Sequence, residues 1–90
     1  MFYPEICDRY SNILLDAALD LKKRERSEGG LKETTIPHLL WMLTEIQMNS
    51  NMSETKRHRW LGYVQGVMVM RGFIIVDDER ESTRSIFRGK

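Results

Sequence analysis

Apolar residues recur along this chain at spacings of three and four, the period of a helix with one buried face. Ile6, Tyr10, Ile13, Leu14, Ala17 and Leu21 mark the first such face, and Cys7, Leu15 and Leu19 widen it. Asp8, Asp16 and Asp20 lie mostly off that face. Pro4 suits the first helical turn, where its missing N–H would have had no partner. The pattern predicts a helix from residue 4 to about residue 26. Its basic end, Lys22, Lys23, Arg24 and Arg26, complements the helix dipole. Residues 27–35, with Gly29–Gly30 inside them, read as a loop. In the next helix Leu39, Leu40, Met42, Leu43 and Ile46 form the apolar side, with Trp41 and Met48 beside it. Thr35 is the expected N-cap and Pro37 stands in the first turn. Asn49–Ser50–Asn51 then makes a turn.

The third helix organises the chain. Ser53 is placed to cap it, and Glu54 puts a carboxylate in the first turn. Leu61, Val64, Val67, Met68 and the stem of Arg71 share one face. Gly72 stands where a left-handed C-cap is wanted, with Phe73 beyond it to pack on the last turn. Phe73, Ile74, Ile75 and Val76 have no partner strand in the sequence, so they read as an extended segment over the core. Asp77 is placed to cap a short fourth helix, with Asp78 and Glu79 in its first turn and Arg84 and Arg88 at its end. Ile86 and Phe87 would return to the core or enter a partner chain. The expected fold is all-α, a small helical bundle of three main helices plus a short C-terminal helix, in a single domain over residues 1–90.

Composition narrows the classes. At 90 residues the chain has room for one thin core. Hydrophobic residues make up 41% and charged residues 30%, which suits a globular domain. A net charge of +1 is far below that of a protein that coats nucleic acid. The lone Cys7 offers neither a disulfide nor a metal framework, so a reducing compartment such as the cytoplasm is expected. The N-terminus lacks the apolar run of a signal peptide, and no segment has the apolar length of a membrane span.

Two features of the third helix break local rules. Gly62 and Gly66 fall four apart on one face, each at a cost of about 1 kcal/mol relative to alanine. Such a pair suits close helix–helix packing within the chain, a symmetric contact between two chains, or the approach of a ligand. The run Lys56, Arg57, His58 and Arg59 puts positive charge at the wrong end of the helix. It serves either as a solvated face paired with acids such as Asp77, Asp78 and Glu79, or, with the free N–H groups, as an anion cradle. In the second case Trp60 and Tyr63 would complete a binding surface.

No catalytic constellation emerges. Cys7 has no motif linking it to His38 or His58, and as a residue of an apolar face it reads as core. His38 reads as a cap or surface group, and no zinc spacing joins the two histidines. An acidic first turn accounts for Asp77, Asp78 and Glu79. The expectation is a protein that is not an enzyme and needs no cofactor or metal.

The segments HLLWM at 38–42, HRWLGYVQGVMVMRG at 58–72 and ERESTRSIF at 79–87 resemble a group of short uncharacterised proteins of tailed bacteriophages. The similarity covers about the last 55 residues and carries no site residues with it. It implies a phage accessory protein made in bacterial cytoplasm that acts by binding a host or defence component. Tryptophan, favoured at binding hot spots, and adaptable methionine suit that role and a homo-oligomer. Two alternatives share the basic helix start. One is a helix-turn-helix regulator that binds nucleic acid. The other is a binder of small nucleotides, with Trp60 or Tyr63 stacking on the base.

Overall fold

A computed structural model describes residues 3–75. Helix α1 spans Pro4–Lys23, α2 spans Ile36–Met48 and α3 spans Glu54–Met70, with one 3-10 turn at Lys32–Thr34 between α1 and α2. The described residues contain no strand. Phe73–Ile75 is irregular backbone, with Phe73 and Ile74 packed on the core as expected of an extended cover. The expected C-terminal helix, from Asp77 onward, lies outside the described residues.

One core joins all three helices. Ile6, Cys7, Tyr10 and Leu14 enter it from α1, and Ile36, Leu39, Met42, Leu43 and Ile46 from α2. Leu61, Val64, Val67 and Met68 come from α3, the same four residues that the sequence pattern places on its inner face. Met52 adds a plug from the short α2–α3 turn. That turn is closed by Asn49, whose side-chain Oδ1 accepts from Asn51 N at 3.0 Å while its carbonyl accepts from Met52 N at 3.2 Å. The fully buried Tyr10 keeps its hydroxyl satisfied by accepting from Gln65 Nε2 at 3.1 Å. Leu15 and Leu19 stand apart from this core. Both are exposed, because they project from the opposite side of α1 to Tyr10 and Leu14.

Helix ends show where local sequence signals hold. Ser53 Oγ accepts from Lys56 N at 3.1 Å, as its position predicts. Gly72 adopts φ 78°. Gly72 N donates to Val69 O at 3.0 Å and Phe73 N to Met68 O at 2.8 Å, the paired bonds of a Schellman cap. Helix α1 ends in the same way but without a glycine. Glu25 takes φ 55°, while its N–H donates to Lys22 O and Arg26 N donates to Leu21 O at 2.9 Å. The helix therefore stops at Lys23, short of the expected 26, because the left-handed residue is one that carries no glycine signal. Glu25→Gly is expected to stabilise the fold by about 1 kcal/mol by relieving that conformation. Urea unfolding followed by circular dichroism checks this, and an unchanged midpoint would show that Glu25 is not strained.

Helix α2 is capped from a distance. It has no acid in its first turn and no base in its last. The expected N-cap, Thr35, makes no side-chain cap bond, and its hydroxyl donates instead to Lys32 O at 2.7 Å. Glu28 does the capping. Its two carboxylate oxygens each accept from Ile36 N at 2.9 Å. Arg71, at the end of α3, pairs with the same carboxylate and also donates to Thr34 O at 3.1 Å. At the other end of α2, Arg57 donates to Ile46 O and to Asn49 O.

Cys7 is fully buried, and burial, with Asp8 beside it, pushes its thiol up to about 12. Its pKa in the unfolded chain is about 8.5. The stability this contributes is therefore complete below about pH 8.5 and is lost as pH rises through the folded value. Alkylation by iodoacetamide at pH 8 is expected to follow global unfolding. A fast reaction in folded protein would contradict the burial.

Candidate functional site

The helix divides the basic run at the start of α3 into three environments. Lys56 and Arg59 are exposed. Arg57 points inward and is only 2% exposed. Its Nε donates to Ile46 O at 3.1 Å, a second guanidinium N–H donates to Asn49 O, and Nη1 reaches Glu54 Oε1 at 3.3 Å. The expectation that Arg57 lies on the binding surface is corrected. Its stem follows the buried face towards Leu61, and its fork covers carbonyls at the end of α2, where positive charge suits the dipole.

His58 turns towards α1. The Tyr3 hydroxyl donates to Glu54 Oε2 at 2.6 Å and is also in contact with His58 Nε2. Burial, together with the bond to Glu54, pushes the Tyr3 hydroxyl up to about 12. The same bond holds the Glu54 carboxyl below its usual range. This cluster anchors the N-terminal end of α1 to α3 and leaves His58 half-buried.

The remaining members of the predicted surface meet residues of α2. Arg59, Trp60 and Tyr63 line a groove of about 470 Å³ together with His38, Trp41 and Met42 of α2 and Glu33 of the preceding turn. The Trp41 and Trp60 rings lie 5.5 Å apart at 46°, and His38 stands 5.5 Å from Trp41 at 42°. Lys56 Nζ sits 5.0 Å from the Trp60 ring centre, a cation–π contact. The Tyr63 hydroxyl donates to Glu33 O at 2.8 Å, which fixes the end of the groove. Trp41 remains 51% exposed in this setting, and Met48 is exposed two turns further along the same side of α2.

No protein-family model, curated protein or solved structure matches the chain. What the groove can do follows from its own residues. Its walls are aromatic and apolar, and its charged groups are one acid, Glu33, and one guanidinium, Arg59. Among the described residues, no three His, Cys, Asp or Glu side chains gather to hold a metal ion.

Gly62 is half-buried, whereas Gly66 is exposed. A Cβ added at Gly66 would meet no heavy atom within 4 Å. Close helix packing among the described residues therefore does not require Gly66, and that expectation is corrected for this position. Sequence reasoning set Trp41 beside an apolar side and His38 at a helix start, and so missed their share in the site. A signal was present: His38 and Trp41, like Trp60 and Tyr63, are three apart, which puts each pair on one side of its helix.

Proposed function

We propose that the chain is a non-enzymatic binding protein that holds a partner protein in the α2–α3 groove. The half-exposed Trp41 indole, backed by Trp60 and flanked by His38, carries this reading. A large aromatic side chain fixed by neighbouring rings gives contact area at little entropic cost, as binding hot spots require. With the phage resemblance, the partner is a host or defence protein met in bacterial cytoplasm, and binding inhibits or redirects it. Self-association belongs to the same proposal.

A photo-crosslinking residue that keeps a large aromatic ring, p-benzoylphenylalanine, at position 41, compared in a bacterial host with the same residue at exposed position 12, tests the groove. A host protein captured from position 41 alone is expected. Equal capture at both positions, or none at 41, would sink the reading. The phosphate-binding alternatives draw on Lys56 and Arg59 beside Trp60, because Arg57 is committed to the fold. With those two side chains as the phosphate contacts, oligonucleotide affinity would fall with log salt at a slope of only about −2, against about −10 for a strong DNA binder.

A further inference from the structure

We infer that in the free protein a second copy of the chain covers the α2–α3 groove, across a two-fold axis that sets Glu33 of each chain against Arg59 of the other. The inference rests on the groove being the recognition surface. Glu33 and Arg59 are both exposed, and neither forms an ion pair among the described residues. The bond from Tyr63 to the Glu33 carbonyl holds the backbone of the acid against α3, the helix that carries Arg59. The groove thus presents one charge of each sign around an apolar centre.

A foreign partner would have to bring a matched acid and base of its own. A second copy brings both, because a two-fold contact pairs residue i with j and j with i. Trp41 is the anchor, since two such indoles at the axis remove from water the largest exposed ring of the groove. A net charge of +1 puts little repulsion between copies. Self-association and partner binding then compete for one surface, so the dimer is the resting form and the partner displaces the second copy.

Sedimentation velocity of the full chain tests this. The wild type is expected at twice the single-chain mass of 10.7 kDa. Glu33→Arg and Arg59→Glu, at two exposed positions, are each expected to run at the single-chain mass, because like charges then face each other across the axis. An equimolar mixture of the two variants restores opposite signs at both contacts and is expected to give a one-to-one dimer, as is the double variant with itself. The inference is overturned by a wild type that stays monomeric, by single variants that still dimerise, or by a helical mixture that stays monomeric. If either variant loses its helical circular dichroism, Trp41→Ser decides: a monomer supports the inference and a dimer overturns it. A monomeric wild type that gains mass only on adding oligothymidylate or poly-glutamate would assign the groove to nucleic acid or an acidic peptide instead. A dimer whose position 41 crosslinks only to the second copy leaves this inference standing and sinks the partner reading. Capture of a host protein from position 41 with a monomeric wild type does the reverse.

Discussion

Arg57→Ala is expected to cost about 3–5 kcal/mol, the largest single effect outside the apolar core. Three contributions act in the same direction. Ile46 O loses the Arg57 donor at the end of α2, a buried acceptor left without a partner costs about 1–3 kcal/mol, and Asn49 O keeps only its bond from Met52 N. A void opens beside the core where a side chain only 2% exposed had packed. The end of α2 also loses the positive charge that its dipole favours. The contact with Glu54 adds little, since that carboxylate is largely exposed. A domain of this size has about 5–15 kcal/mol in total, so the loss takes about a fifth of that or more. Arg57→Lys keeps the charge but replaces a planar fork by a single ammonium, and is expected to recover less than half of the loss. Urea unfolding by circular dichroism measures both variants. A loss below about 1 kcal/mol in Arg57→Ala would show that the guanidinium is not buried in the working fold.

Glu28→Ala is the second large effect, about 2–3 kcal/mol. It removes the N-cap of α2, worth about 0.5–2 kcal/mol. It also leaves the partly buried Arg71 guanidinium without its counter-ion. Glu28 and Arg71 join the α1–α2 loop to the end of α3, and the same guanidinium lies 4.7 Å from the Phe73 ring centre. The single variants and Glu28→Ala/Arg71→Ala form a double-mutant cycle with an expected coupling of about 1–2 kcal/mol. The pair is mostly shielded from solvent, so the coupling is expected to persist in high salt. Strict additivity of the two substitutions would show that each residue acts on its own segment only.

Much of the fold was written locally. Helix periodicity in α3 identified its four buried apolar residues, because a 3.6-residue repeat alone fixes which side chains share a face. Ser53 and Gly72 announced their caps, since each bond spans only three to five residues and needs only the residue type that permits it. Glu25 shows the limit of such signals. Its left-handed backbone is imposed by the fold around it, against the preference of its side chain.

The sequence by itself determined three helices, most of their inner faces and the basic end of α1. Tertiary structure alone decided how α2 is capped, with Glu28 across a loop at one end and Arg57 of the next helix at the other. It also decided that a run of four basic side chains divides into a buried cap, a contact to Tyr3 and two exposed cations. The groove arises in the same way, because Trp41 and Trp60 meet only where α2 and α3 pack together. The physical reason is range. Periodicity, propensity and local caps act within one turn of chain, whereas burial of a charge or exposure of a ring depends on which helix lies against it.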